Sequence, residues 1–218
     1  MHPWPDRNPL AHWRWNLRKF AVYAPDELDC YTSVVAAYVA LLRGINVGGK
    51  NLIKMPELKA CFEAGGFKGV VTYIQSGNVL LRSTGSDSAA LARRIEEMLI
   101  STFGYQASVV LRSRAQMRAV VERAPEGFGV DPEAFRYDVI FLKEPLTARA
   151  ALKSVPTRQG VDEVRAGRGV LYSSRLMIRA AQSHLSKVVS LPIYQSMTIR
   201  NWKTTTTLLR MMDEPGRS

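Results

Sequence analysis

The strongest constraint on the fold is the run Val34-Val35-Ala36-Ala37-Tyr38-Val39-Ala40-Leu41-Leu42, nine apolar residues that lead straight into Arg43-Gly44. Such a run is too short to cross a bilayer. It suits a buried strand, Tyr38–Leu42, that other elements must cover. A loop rich in glycine and closed by lysine, Gly44–Lys50, follows at once. The rest of the chain must therefore supply a sheet around this strand and a frame for this loop.

The order of the following elements is legible. Pro56 suits the first position of a helix. Leu58, Cys61 and Phe62 recur at i, i+3 and i+4, and Gly65-Gly66 ends the helix. Val70–Gln75 and Asn78–Arg82 read as strands joined by a two-residue hairpin turn, Ser76-Gly77. Ser86 or Asp87 caps a longer helix with Leu91, Ile95, Met98, Leu99 and Phe103 on one face. Ala107–Arg112 is the next strand. The pattern βαββαβ is that of a ferredoxin-like unit. Ser113–Arg123 reads as a connecting helix, and 124–132, with its prolines and glycines, as a loop.

The order then recurs. Tyr137–Leu142 is a strand and Leu146–Val155 a helix. Asp162–Arg165 and Val170–Ser174 form a hairpin around Gly167-Arg168-Gly169. A helix over Ser183–Ser190, a strand over Met197–Arg200 and a helix over Lys203–Met212 close the chain. The expected fold class is α+β: two tandem ferredoxin-like modules with antiparallel sheets, plus connecting and C-terminal helices. Residues 38–112 are the first module, 113–132 the connection and 133–218 the second module. The halves share element order and no clear sequence repeat. Residues 1–37 hold Pro3, Pro5 and Pro9 and the aperiodic Trp4, Trp13 and Trp15. They read as a poorly ordered N-terminal extension.

In a ferredoxin-like sheet the strand order is 4-1-3-2 and all neighbours are antiparallel. The C-terminal ends of its first two strands therefore share an edge. This brings the Gly44–Lys50 loop beside the Gln75–Asn78 turn. Arg43, Gly44, Asn46, Gly48, Gly49, Lys50, Gln75, Ser76 and Asn78 become candidates for one ligand site. Successive glycines free backbone N–H groups for an anion. Lys50 supplies a point charge and Arg43 a planar fork. Asn46, Gln75, Ser76 and Asn78 offer orienting hydrogen bonds. From the second module Arg200 adds a fork, Asn201 an amide and Trp202 a stacking surface. The glycines equally suit a tight turn with no ligand.

The net charge of +11 points the same way. Residues 1–37 hold four basic and four acidic side chains, so 38–218 carry the whole excess, 26 against 15. Such a field favours polyanions. Arg158, Arg165, Arg168, Arg175, Arg179 and Lys187 face only Asp162 and Glu163 locally.

Several classes are excluded. Gly44–Asn51 differs from a nucleotide-binding P-loop, because Asn51 stands where serine or threonine would hold magnesium. His2, His12 and His184 have no ligand spacing, so no metal and no cofactor is implied. There is no GxSxG. The strand Asn78–Arg82 is aliphatic and lacks the aromatic signature of an RNA-recognition motif. Two cysteines, Cys30 and Cys61, make no disulfide framework. No secretory signal is evident, so a cytoplasmic location is expected.

Four segments resemble the family of domain of unknown function 1697. They are YVALLRGINVGGKN (Tyr38–Asn51), MPELKACFEAGGF (Met55–Phe67), TYIQSGNVLL (Thr72–Leu81) and TIRNWKT (Thr198–Thr204). The family typically has asparagine in place of Lys203 and a small residue in place of Ile199. The resemblance implies a two-part α+β protein and supplies no reaction, cofactor or catalytic residue. The functional expectation is phosphate or anion recognition, with nucleic acid or a nucleotide as partner. The alternatives are an enzyme acting on a small anionic metabolite in a cleft between the modules, and a protein-interaction module. Catalytic residues and oligomeric state are not assigned.

Overall fold

In the computed structural model, residues 35–46, 52–85, 87–104 and 106–214 are described. The apolar run forms β1 (Ala36–Arg43), an interior strand of a four-stranded sheet. The first sheet contains β2 (Lys68–Tyr73), β3 (Asn78–Ser83) and β4 (Ser108–Ser113) in the order β2-β3-β1-β4, all antiparallel. This is the order expected from the sequence. Alternate residues of β1 point to opposite faces. Tyr38, Ala40 and Leu42 enter a core closed by α1 (Met55–Ala64) and α2 (Ser88–Phe103). Asp87 caps α2 by accepting from the N–H groups of Ala89 and Ala90.

The second sheet repeats the arrangement with β5 (Phe135–Leu142), β6 (Asp162–Gly167), β7 (Val170–Leu176) and β8 (Met197–Asn201) in the order β6-β7-β5-β8. The chain is thus α+β, with two four-stranded antiparallel sheets. Val39, Leu41 and Val110 of the first sheet share one core with Val139, Phe141 and Tyr172 of the second. Two helices close that core: α3 (Arg114–Glu122), through Met117 and Val120, and the C-terminal helix over Trp202–Asp213, through Leu208 and Met212. Burying each such side chain contributes about 1.5–3 kcal/mol. The helix between β5 and β6, α4 (Ala148–Ser154), lies on the outer face of the second sheet, and the C-terminal helix is α5.

Three expectations need correction. The helix expected over Ser183–Ser190 is absent. In its place are three 3-10 turns, Met177–Gln182, Leu185–Ser190 and Pro192–Ser196. Pro192 cannot continue a helix from 183–190, and the segment is too short to bury a full helical face. The Ser76-Gly77 hairpin is a four-residue turn over 74–77, with both Ile74 (φ 48°) and Gly77 (φ 75°) left-handed. Ala36 and Ala37 belong to β1 and not to an extension; residues 1–34 lie outside the described residues. Among the described residues no helix is long and apolar enough to cross a membrane.

Candidate functional site

The two sheets are joined by a reciprocal pair of arginines, Arg200 buried and Arg112 half-buried. Arg200, on β8, is 7% exposed. Its Nη2 donates to the carbonyl oxygens of Leu42 (2.8 Å), Ser76 (2.8 Å) and Gly77 (3.3 Å). Its Nε donates to Asn78 Oδ1 and its Nη1 to Thr198 Oγ1 and the Ile199 carbonyl. Arg112, on β4, does the same in the other direction. Its Nη2 donates to the carbonyls of Leu142 (2.6 Å) and Gly169 (3.0 Å), and its Nη1 to Leu111 (2.8 Å). The receiving corners match too, since Leu42 N–H bonds the Gly77 carbonyl and Leu142 N–H that of Gly169. Loss of solvent pushes both guanidinium pKa values down to about 10, still above neutral pH.

This geometry corrects several expected roles. A guanidinium has five N–H donors, and Arg200 meets protein acceptors with Nε, Nη1 and Nη2 alike. It joins the modules and has no fork left for phosphate. Asn78 is fully buried; its Nδ2 donates to the Tyr73 carbonyl and Ser76 Oγ, so it braces the turn. Asn201 caps α5, with Oδ1 accepting from Thr204 N–H at 2.7 Å. Trp202 packs edge-on against Phe128 at 5.1 Å and is half-buried, with one side against the shared core and the other open to a groove.

The described start of the glycine loop meets the β2–β3 turn through Asn46. Asn46 Nδ2 donates to the carbonyls of Ile53 and Gln75, both at 3.0 Å, and its Oδ1 accepts from Ile53 N–H. Asn46 therefore ties the glycine loop to the β2–β3 turn and is not an orienting group for a ligand. Arg43 stacks over Tyr194 of the second sheet's 3-10 segment, 4.6 Å from the ring centroid. Gly44 has φ 76°, Ser76 is half-buried and Gln75 is exposed. Gly48, Gly49 and Lys50 lie outside the described residues.

A cleft of about 440 Å³ opens beside this junction. Ile74 and Ser76 of the turn form one wall. The outer face of the second sheet, with Arg136, Asp138, Ser173 and Arg175, forms the floor, and Ser186 and Val188 of the 3-10 segment the far wall. The matched corners explain why it exists. Tyr38 stands four residues before Leu42 as Asp138 stands four before Leu142, and Leu81 follows Gly77 as Ser173 follows Gly169. In the first sheet those positions are apolar and lie in the core closed by α2. In the second sheet, 3-10 turns replace the long helix and the same positions are polar.

The floor is electrostatically unbalanced. Arg136 and Arg175 stand directly opposite each other on β5 and β7, an unfavourable placement for like charges. Asp138 Oδ2 accepts from Arg136 Nε at 2.8 Å. Arg175 also faces Asp162 across β6, but that carboxylate accepts from Ser183 Oγ, His184 N–H and Arg158 N–H at 2.6, 2.7 and 3.0 Å. Burial raises the Asp162 pKa, and these three hydrogen bonds more than offset it, holding the group below its ordinary value. Arg175 Nε and Asp138 Oδ1 are buried with no hydrogen-bond partner among the described residues. Ile74, 47% exposed at the rim, holds a left-handed backbone that β-branched residues rarely adopt.

Of the floor residues, the sequence singled out Arg175 only as part of the basic run and missed Arg136, Asp138 and Ser173. The signal was there: Phe135–Asp138 alternates apolar and polar, and Arg136 and Asp138 share the face of the buried Ile140 and Leu142. An apolar face that turns polar at one end marks where its cover stops. Within the basic run Arg165 pairs with Glu163, and Arg179 donates to Gln182. Among the described residues no group of histidine, cysteine and carboxylate side chains could hold a metal ion.

No curated protein matches the chain. Conserved bacterial protein SP0830 from Streptococcus pneumoniae is similar in structure, with a TM-score of 0.71 and 27% identity, covering 82% of this chain and 99% of that one. The first two RRM domains of yeast poly(U) binding protein Pub1 align at 15% identity over 76% of this chain and 98% of that one. Their TM-score of 0.22 carries no argument. The family model "Protein of unknown function (DUF1697)" matches residues 35–172, from β1 into β7. With well over half its length matched, the chain belongs to the DUF1697 family.

Proposed function

We propose that this protein recognises a small phosphorylated or carboxylated metabolite in the cleft between the β2–β3 turn and the outer face of the second sheet. The reading treats each half as a ferredoxin-like module, on the strength of their matching strand orders. One observation carries it: a buried donor, Arg175 Nε, and a buried acceptor, Asp138 Oδ1, have no partner among the described residues, on two side chains that line the same floor. Native proteins leave few such groups unsatisfied, and each costs about 1–3 kcal/mol. A ligand that supplies both partners removes both penalties.

The chemistry follows from the pair. Arg175 donates to an anionic oxygen, in the field of Arg136 and Arg200. Asp138 Oδ1 accepts from a hydroxyl or ammonium on the same ligand. The ligand therefore joins an acid group to a hydrogen-bond donor. A cleft of about 440 Å³ suits a metabolite and not a duplex. Among the described residues Asp138 is the one carboxylate lining the cleft, and no catalytic residue is assigned.

Calorimetric titration of the full chain with glycerol 3-phosphate and with glycerol tests it. The phosphate ester binds, glycerol does not, and Arg175→Met weakens the ester about 10- to 100-fold, the worth of a charge-assisted bond. Binding that Arg175→Met leaves unchanged overturns the assignment.

A further inference from the structure

Resting on the anion-cleft reading, we infer that the ligand is an aromatic organophosphate of the nucleoside monophosphate class, with its ring seated in a second groove that opens off the cleft. This groove, of about 580 Å³, is lined by Phe135, Tyr137, Met177, Trp202 and Lys203. Arg136 and Asn201 line both spaces, so the two share a wall.

The sheet is open where they meet. β8 accompanies β5 only as far as the pair Asp138–Asn201. There the chain turns into α5, capped by Asn201. Residues 135–137, the first of β5, are left with β7 on one side and no strand on the other. The polar floor therefore continues round the free edge of β5 into the aromatic groove.

The groove is built before any ligand arrives. Phe128 holds Trp202 edge-on at 5.1 Å and 85°, and Tyr137 at 4.9 Å and 67°. Gly129 (φ 87°) makes room for the indole, since a Cβ there would come within 2.2 Å of Trp202 Nε1. Met177, 43% exposed, lines the groove as an adaptable apolar contact. Fixed aromatic side chains accept a flat ring at little entropic cost and with little preference among bases. Arginines on one side of Arg136 and Asn201 and aromatics on the other match a molecule that is anionic at one end and flat at the other.

Equilibrium dialysis of the full chain against AMP, ribose 5-phosphate and adenosine separates the two parts of the site. AMP is expected to bind at least about tenfold tighter than ribose 5-phosphate, the lower end of what stacking one base contributes. Because Trp202 is also packed in the core, the informative variant is the exposed Met177→Glu. It should lower AMP affinity about tenfold and leave ribose 5-phosphate unchanged. Equal affinities for AMP and ribose 5-phosphate, or a Met177→Glu chain that binds AMP as well as the parent, overturns the aromatic groove alone. Failure of both phosphate esters to bind overturns the anion cleft and this inference with it.

Discussion

Arg200 Nη2 reaches the carbonyl oxygen of Leu42 at 2.8 Å, joining the last strand of the second sheet to the central strand of the first. Arg112 reaches Leu142 in the same way, from the first sheet to the second. Each arginine precedes the residue that caps the next helix, Ser113 for α3 and Asn201 for α5. The halves therefore meet through a local two-fold arrangement of strand end, hairpin corner and arginine. One consequence is that Arg200 is committed to architecture. Recognition moves to the place where the two halves differ.

Arg200→Met should destabilise the protein by about 3 kcal/mol or more. It strands the Leu42 and Ser76 carbonyls and Asn78 Oδ1, at about 1–3 kcal/mol each if buried without a partner. Arg200→Lys should recover only a part, because an ammonium has three donors and no planar fork. Urea unfolding midpoints at neutral pH give the comparison.

Gly77→Ala should cost about 2–4 kcal/mol. The residue holds φ 75°, and a Cβ would lie 2.7 Å from Ile45 Cδ1 and 2.9 Å from Leu42 Cβ. Backbone strain and overpacking of a filled corner add together. Thermal unfolding reads the loss directly.

Ile74 should behave in the opposite sense. Asparagine tolerates the left-handed region better than a β-branched residue, and the side chain is half in solvent. Ile74→Asn is therefore expected to raise stability by about 1 kcal/mol, the low end of what such strain stores, as seen in the urea midpoint. A loss of stability would show that the isoleucine contributes packing at the rim that outweighs its backbone.

Asp162 gives a pH signature. Its pKa is held below the ordinary carboxylate value in the folded chain. The unfolded chain binds the proton more readily as pH falls towards about 3.9, yet only the folded state loses hydrogen bonds on protonation. The contribution is complete above the unfolded pKa and disappears as pH falls through the folded one. The stability difference between the parent and Asp162→Asn should be level from about pH 5 to 8 and shrink below about pH 4. Chemical denaturation across that range measures it. Ser183 and His184, which Asp162 holds, lead into the Leu185–Ser190 turn, so the wall of the cleft should loosen over the same range.

Much of the frame was legible because its signals are local. The unbroken apolar run of β1, the Pro56 start of α1 and the Asp87 cap of α2 each fix a few residues without reference to distant ones. What escaped depends on long-range pairing. Nothing near Arg200 announces that its partners are Leu42 and Asn78. The internal repeat was also hidden, since it consists of Leu111-Arg112-Ser113 against Ile199-Arg200-Asn201 and little else. The 3-10 segment read as a helix because Leu185, Val188 and Val189 keep roughly helical spacing over one turn. Its true length and Pro192 decide otherwise, and the cleft floor follows from that shortfall.

The central claim is that Arg175, and not Arg200, meets the ligand. Nitrogen-15 spectra of the arginine Nε–H groups, with Arg175 assigned by the Arg175→Met variant, test this directly during titration with a phosphate ester. The Arg175 Nε–H resonance should shift in a saturable way, while that of Arg200, held by Asn78, stays in place. A static Arg175 resonance, or an Arg200 resonance that moves instead, would contradict the account.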